Sequence, residues 1–133
     1  MAGVFTASGN ERVSAASLTV PAPGNVTFYV GRSLSRLVEA GTKTLPMPGF
    51  YTMGLKELLR VAKGQKFVVA ARVHTPDNSF PVALQSPLIW GGLQANCTAR
   101  PGMSCVSPDG KKWTDATTLS KGTAVCLKAT TTR

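Results

Sequence analysis

One stretch decides the fold class of this 133-residue chain: Gly102-Met103-Ser104-Cys105-Val106-Ser107-Pro108-Asp109-Gly110-Lys111-Lys112-Trp113-Thr114-Asp115. Its centre, Pro108-Asp109-Gly110, is a turn signal, because proline presets φ, aspartate bonds nearby main-chain groups and glycine accepts a positive φ. Short β-like runs flank the turn, which predicts a hairpin. A closing strand is predicted from Ala124-Val125-Cys126-Leu127-Lys128-Ala129.

Working outward, the rest of the chain consists of short apolar or alternating runs separated by Gly, Pro and Asn turns. Strands are predicted over residues 3–8, 12–20, 26–30, 43–45, 50–55, 66–74 and 80–84. Residues 31–42 are ambiguous, and residues 55–61 are compatible with a helical turn or a loop. About nine short strands, with at most one or two helical turns, predict an all-β fold. We expect an antiparallel β-sandwich of jelly-roll or Ig-like topology.

The run from Lys66 to His74 is apolar nearly throughout, which predicts a central strand buried on both faces. The run from Phe80 to Leu84 contains Pro81, which favours an edge strand because proline cannot donate to the ladder. Residues 85–102 are predicted to form a long loop, and such loops in compact domains are functional or held in place.

Composition limits the possible functions. The chain has 15 Lys and Arg against 6 Asp and Glu, a net charge of +9, but the basic residues are scattered along the sequence. Nucleic-acid binders more often concentrate charge in one arm or face, so nucleic acid is disfavoured as a partner. The longest apolar run, from Phe67 to Ala71, is too short to span a membrane. Residues 1–10 lack signal-peptide features, so the chain is either cytosolic or a domain of a larger exported protein.

No catalytic constellation is visible. His74 is the only histidine, and nothing in the spacing of Asp77 and Cys97 supports a triad with it. We therefore expect a protein that is not an enzyme and needs no cofactor.

The three cysteines allow alternative pairings. Cys97 and Cys105 are separated by a short loop, and a disulfide between them is predicted in an oxidising compartment. A Cys105–Cys126 bridge is the competing pairing, to be decided by geometry. Cys126 lies in an apolar strand, which favours a buried free thiol. The spacing does not fit a zinc site.

Aromatic and acidic residues provide the candidate binding residues. Trp90, in a Gly-rich loop, is either packed against the loop or exposed as a contact surface, whereas Trp113 is predicted to pack against the core. Asp77, Asn78, Asp109 and Asp115 are interpreted as turn residues, so no metal site is predicted. A calcium site assembled from two loops remains the alternative.

Five segments form a characteristic pattern in this order: Val4–Glu11, Pro48–Thr52, Gly64–Val69, Gly102–Asp115 and Val125–Ala129. With this pattern the chain resembles the lectin-like β-sandwich domain that accompanies papain-like cysteine peptidase domains and occurs in other large surface proteins of bacteria and methanogenic archaea. Cys126 occupies a position where the family commonly has a cysteine. Cys97, Cys105 and the strong positive charge depart from the family pattern, and this chain has no peptidase domain.

The resemblance implies a non-catalytic accessory module, extracellular or at the cell surface, with residues 1–133 forming a single domain of a larger exported protein. The family's sugar-binding label makes carbohydrate the expected ligand. The residues themselves suggest Trp90, Tyr51, Asp77 and Asn78 as candidate ligand-binding residues. The alternative is a structural or interaction domain whose basic surface holds a neighbouring protein domain or an acidic polymer. An exposed Trp90 and Tyr51 in a polar groove would favour sugar, whereas a flat apolar patch with a basic rim would favour protein.

Overall fold

The computed structural model describes residues 1–133 except Leu88, Gly91, Gly92, Ala95 and Asn96, and it leaves the side chains of Glu57, Leu58, Ile89, Trp90, Leu93 and Gln94 undescribed. This part of the chain forms thirteen strands and one short 3-10 helix. No helix in it is long and apolar enough to cross a bilayer. The all-β prediction is confirmed, although the number of strands is larger than the nine expected.

The elements follow one another along the chain with these bounds: β1 (Ala2–Thr6), β2 (Glu11–Val20), β3 (Gly24–Ser33), β4 (Arg36–Leu45), β5 (Gly49–Val61), β6 (Lys66–His74), β7 (Leu84–Gln85), β8 (Ile89–Trp90), β9 (Leu93–Gln94), β10 (Ser104–Val106), β11 (Thr114–Asp115), the 3-10 helix η1 (Ala116–Thr118), β12 (Ala124–Val125) and β13 (Leu127–Thr132).

Two antiparallel sheets form a β-sandwich. The larger sheet has the strand order β11-β10-β1-β6-β3-β4, and the smaller has the order β13-β2-β5. Two short ribbons, β12-β7 and β8-β9, complete the described part of the chain. The core between the sheets is built from side chains that are almost wholly buried, among them Val13, Leu18, Phe28, Leu45 and Val69.

Strand β6 is buried on both faces, as its apolar run predicts. Phe67, Val69 and Ala71 belong to the main core between the sheets. The alternate residues Val68 and Ala70 belong to a second apolar cluster on the opposite face of the larger sheet. Because β6 pairs with β1 on one side and β3 on the other, it lies inside the sheet, and the prediction of a central strand is confirmed.

The C-terminal hairpin is also confirmed. Strands β10 and β11 pair antiparallel, with Cys105 opposite Asp115. Asp109 shapes the connecting loop, since its Oδ1 accepts hydrogen bonds from the main-chain N–H groups of Lys111 (2.8 Å) and Lys112 (3.0 Å). Gly110 has φ +73°, the left-handed conformation that glycine adopts without strain. Trp113 is half-buried and packs against the second cluster, as predicted.

The expectation of a helical turn or loop over residues 55–61 is wrong, because these residues complete β5. The β2–β5 register shifts between Val13 and Ala15, so that Ser14 alone opposes residues 55–58. A bulge of this kind interrupts the two-residue alternation of a strand. The interruption explains why the leucines of this segment have helix-like spacing in the sequence.

Three further segments differ from expectation. Residues 31–42 are resolved as the end of β3, a turn and most of β4. The predicted edge strand over residues 80–84 is wrong, because strand structure begins only at Leu84. The predicted loop 85–102 contains the paired strands β8 and β9, with Trp90 opposite Leu93.

Replacing Val69 by Asp is expected to destabilise the domain by several kcal/mol. The Val69 side chain is fully buried, so the substitution places an unpaired charge in the core. Val38→Asp is the matched control, because Val38 is 59% exposed on β4 and surface substitutions usually change stability by about 0.5 kcal/mol or less. Urea unfolding of both variants provides the measurement, and equal losses would contradict the central position of β6.

Candidate functional site

Tyr51 does not present a free ring to solvent. It is half-buried near the start of β5 and packs against the main core. Its hydroxyl donates a hydrogen bond to the carbonyl oxygen of Met47 at 2.7 Å, and the Lys43 Nζ lies 5.7 Å from the ring centroid. These contacts hold the strand to its preceding loop, which is a structural role.

Asp77 and Asn78 lie in the turn that follows β6, as predicted. The Asn78 Oδ1 accepts a hydrogen bond from the main-chain N–H of Phe80 at 2.9 Å, and the Thr75 Oγ1 donates to the Asn78 carbonyl at 2.7 Å. The hydrogen bonds of Asn78 are made within this turn, and the hydrogen bonds of the Tyr51 hydroxyl are made to Met47 in the loop before β5. The structure therefore does not join these predicted residues into one hydrogen-bonded site.

Trp90 lies in β8, but its side chain is outside the described residues. Its proposed role as a contact surface stays a prediction.

The other acidic turn residues bind main-chain groups. Asp115 caps η1, because its Oδ1 accepts hydrogen bonds from the N–H and hydroxyl of Thr117, and its Oδ2 accepts one from the Gly102 N–H. The bonds from Thr117 and Gly102 lower the pKa of Asp115 below its usual value. Within the described residues, no three His, Cys, Asp or Glu side chains gather in a way that could hold a metal ion.

The outer face of the smaller sheet carries an exposed aromatic side chain. Phe50 is 59% exposed, and the Lys128 Nζ lies 5.8 Å from its ring centroid. Phe50 faces outward because it alternates along β5 with Tyr51, which packs against the core. The period-two pattern of the sequence distinguishes these two neighbours, and it could have directed attention to Phe50 instead of Tyr51.

Hydroxyl groups surround Phe50 on this face. Thr19 lies opposite Phe50 on β2, and the next outward pair is Ser17 and Thr52. The Ser17 Oγ and Thr52 Oγ1 are 2.8 Å apart and form a hydrogen bond. On the neighbouring strand β13, Thr130 is exposed. The described part of the outer face thus carries threonine hydroxyls and Lys128, with the Phe50 ring near one end, while Ser17 is itself buried.

A cleft lies at the other end of the sandwich, and four arginines line it: Arg12, Arg32, Arg60 and Arg133. We call it the arginine cleft; its volume is about 430 Å³. Arg12 and Arg60 lie directly opposite each other on β2 and β5 of the smaller sheet. Arg32, at the end of β3 in the larger sheet, reaches across and donates to the main-chain carbonyl of Arg60 at 3.0 Å.

Glu11 is the acidic residue of this cleft, and it is already engaged. It is only 8% exposed, and the Ser8 Oγ donates to its Oε1 at 2.6 Å. Hydrogen bonds from Ser8 and Thr131, followed by the nearby charge of Arg133, hold the pKa of Glu11 below its ordinary value. Its carboxylate is therefore ionised at neutral pH and offsets one of the guanidinium charges.

The arginine cleft shows that basic residues scattered along the sequence meet in the fold. Positions 12, 32, 60 and 133 are far apart in the sequence, and only the strand register brings them to one end of the molecule. The sequence alone therefore does not indicate that these arginines meet, because their proximity depends on which strands pair.

The family to which the sequence points is established by direct comparison. The sequence profile described as "Lectin like domain" matches residues 1–131. This chain belongs to the lectin-like domain family. The resemblance noted from the sequence is thereby confirmed. No curated protein matches the sequence.

The lectin-like domain is similar in structure to a crystal structure of the cysteine protease and lectin-like domains of Cwp84, a surface layer associated protein of Clostridium difficile. The TM-score is 0.77 and the sequence identity is 16%. The match covers 98% of this chain and 31% of the Cwp84 chain. At this level of identity, the similarity establishes the shared fold.

The three cysteines of the lectin-like domain are free thiols in the structure, with Cys105 buried and Cys97 and Cys126 half-buried. The expected burial of Cys126 is therefore only partial. The main chain of Cys126 is hydrogen-bonded on both sides. Its N–H donates to the Ala83 carbonyl, and its carbonyl accepts a hydrogen bond from the Thr19 N–H. Burial, followed by the proximity of Cys97, raises the pKa of the Cys126 thiol.

Cys97 lies beside the segment that leads into Cys126. Its carbonyl oxygen is 2.3 Å from where a Cβ at Gly122 would stand. Burial and then the Asp115 carboxylate raise the pKa of Cys105, and Cys97 has no part in that shift. The Cys97–Cys105 bridge stays a prediction, and the surroundings of Cys97 favour Cys126 over Cys105 as its partner.

Peptide mapping of oxidised protein, alkylated without reductant, is expected to recover a peptide pair that links Cys97 to Cys126. The expected physical reason is the position of Cys97 beside residues 122–126. Recovery of a Cys97–Cys105 pair would restore the pairing expected from the sequence. Three alkylated thiols would exclude both.

Asp115→Ala is expected to lower the free energy of unfolding by about 1 kcal/mol at neutral pH, the usual cost of losing a helix N-cap. Since the folded pKa of Asp115 is lowered, its stabilising contribution is present above the unfolded pKa and disappears as the pH falls through the folded pKa. The difference between Asp115→Ala and the parent protein should therefore shrink in acid. Urea unfolding at several pH values measures it, with Asp77→Ala as the control; a pH-independent difference contradicts the assignment.

Proposed function

We propose that this lectin-like domain is a non-catalytic binding module of an extracellular or cell-surface protein, and that its ligand is carbohydrate. The observation that carries the proposal is Phe50, a residue 59% exposed on a sheet face that also carries threonine hydroxyls and Lys128. Family membership and the similarity to a domain of a surface layer associated protein support it.

The chemistry of the outer face suits a sugar. The C–H face of a sugar ring is apolar and packs on an aromatic ring, whereas its hydroxyls need partners that both donate and accept. Serine and threonine hydroxyls do both. The described surface places Thr19 and Thr52 next to Phe50, so a ring stacked on Phe50 has hydroxyl partners on both sides.

A non-catalytic role is supported by the state of the thiols. A nucleophilic cysteine needs a lowered pKa, supplied by a nearby cation or base. The pKa values of Cys105 and Cys126 are instead raised, chiefly by burial. His74, exposed at the end of β6, is the single histidine of the chain.

The same comparison supports a proposal about the domain organisation. We propose that residues 1–133 form one lectin-like domain within a larger exported protein. The support is that the family match extends over residues 1–131 and that the chain corresponds to 31% of the length of the Cwp84 chain.

Phe50→Ala is expected to weaken carbohydrate binding by roughly 1–3 kcal/mol, the range for removal of a stacking aromatic side chain. Stability should change little, because the ring is mostly exposed. Phe80→Ala is the matched control, since Phe80 is also 59% exposed but lies outside the sheets. A glycan array finds the ligand, and calorimetry with the strongest neutral glycan compares the variants.

Trp90→Ala distinguishes the two aromatic candidates. Loss of binding in Trp90→Ala, with Phe50→Ala unchanged, would move the contact surface to the β8–β9 hairpin. Absence of binding to every glycan would favour the alternative, a structural or interaction domain.

A further inference from the structure

We propose that the arginine cleft binds the anionic groups of an acidic polysaccharide, which lies along the outer face of the smaller sheet from Phe50 to Arg12. This inference rests on the proposed carbohydrate-binding function and specifies the class of glycan. The shared chemistry is an oxyanion carried on a sugar, either a carboxylate or a sulfate or phosphate ester.

The first argument is the surplus of positive charge in the cleft. Four guanidinium groups face one carboxylate, that of Glu11, which is also bonded to Ser8. Like charges directly opposite on neighbouring strands are destabilising, and Arg12 and Arg60 occupy such positions. Arg32 adds a positive charge from the larger sheet. Its guanidinium donates a hydrogen bond to the main-chain carbonyl of Arg60, which is not a carboxylate and does not neutralise the charge. An arrangement that costs stability and converges on a cleft is typical of an anion site.

The second argument is that the uncharged side chains of the cleft also present donors. The Asn10 Oδ1 already accepts a hydrogen bond from the Lys63 N–H at 3.2 Å. The Gln65 Oε1 accepts one from the Ala62 N–H at 3.0 Å. Their oxygens accept hydrogen bonds within the protein, so the group that each amide can still offer to a ligand is its NH2 donor. Guanidinium and amide donors together match a ligand group that only accepts, as an ionised carboxylate, sulfate or phosphate does.

The third argument is the position of the cleft relative to Phe50. Arg12 and Thr19 lie on the same face of β2, and Thr19 is opposite Phe50. Seven residues at the rise of a β-strand separate them by roughly 20 Å. A ligand that contacts both Phe50 and the arginine cleft is therefore a chain of several sugar units, because a monosaccharide is too short to span this distance.

The fourth argument concerns the class of polymer. The described residues between Phe50 and Arg12 on the outer face include the hydroxyl side chains of Thr52 and Thr130 and the exposed, basic Lys128. Single-stranded nucleic acid is bound by successive aromatic platforms along a basic groove, and this face has one ring. Hydroxyl groups between a stacking ring and a cationic cleft fit a polysaccharide better.

The experiment compares matched glycans by calorimetry with the whole 133-residue domain. The probes are an oligogalacturonate, its neutral methyl ester, dextran sulfate and neutral dextran. We expect at least tenfold tighter binding of one acidic probe than of its neutral counterpart, with an affinity that falls as salt is raised. The carboxylate and sulfate pairs separate the two sources of the oxyanion. Equal or tighter binding of single-stranded DNA would overturn the choice of a glycan.

The double variant Arg12→Gln with Arg60→Gln tests the site. It should bind the acidic probe at least tenfold more weakly, while its unfolding midpoint stays the same or rises because a like-charge pair is removed. Lys111→Gln with Lys112→Gln is the control: it removes the same charge from exposed positions in the hairpin loop and should change affinity less than twofold. Equal losses in both variants would mean diffuse attraction to a basic protein and overturn the cleft.

The outcomes also separate this inference from the function on which it rests. Binding of neutral and acidic probes with equal affinity, lost in Phe50→Ala and retained in the arginine variant, would overturn the inference and leave carbohydrate binding intact. Failure of every glycan to bind would overturn both.

Discussion

The burial of β6 on both faces is the constraint on which the rest of the structure depends. Alternate residues of this strand face two separate apolar clusters, Val69 the main core and Val68 the outer cluster. The smaller sheet covers the first face. The second face needs its own cover, which Trp113 and the leucines of the β3–β4 turn region, Leu34 and Leu37, provide. The C-terminal hairpin is thus required by the apolar sequence of a strand far from it in the chain.

This arrangement leaves the outer face of the smaller sheet exposed, and it is the surface that we propose for binding. Its inner face is committed to the core through residues such as Leu18 and Leu127. Most described residues on its outer face are polar, and Phe50 is a large apolar residue that is exposed there. The larger sheet, in contrast, uses part of its outer face for its own stability. The outer face of the larger sheet is partly covered and that of the smaller sheet is exposed because β6 is more hydrophobic than β2, β5 and β13.

The sequence predicts well those features that are local. The apolar run of β6 and the Pro108-Asp109-Gly110 turn each contain their own physical cause, and both are present in the structure. The bulge opposite Ser14 is different, because it depends on how β2 pairs with β5. It breaks the two-residue alternation of β5, and in the sequence of β5 alone the broken pattern resembles the spacing of a helix. Local patterns thus predicted the elements but not their register.

The candidate site depends on register and could be predicted only in part. Tyr51 was predicted from the sequence as a ligand-binding residue and Phe50 was not considered, because only the direction of the core decides which of these neighbours faces solvent. The Trp90 side chain lies outside the described residues, so its role stays open to the proposed variant. The four arginines carry no common motif and meet only through the fold.

Arg32 contributes to the stability of the domain, because it bonds the Arg60 carbonyl across the two sheets, whereas the pairing of Arg12 with Arg60 does not. The core accounts for the sandwich without it, and the position of Arg12 opposite Arg60 opposes pairing of β2 and β5 at that point. Asp77 and Asp109 lie elsewhere, in turns that follow the C-terminal ends of β6 and β10. Because a single substitution in either arginine would relieve the repulsion without touching a buried group, folding alone does not explain the pair. An anion supplied by a ligand does explain it, since binding turns the repulsion between the two guanidinium groups into shared attraction for one oxyanion.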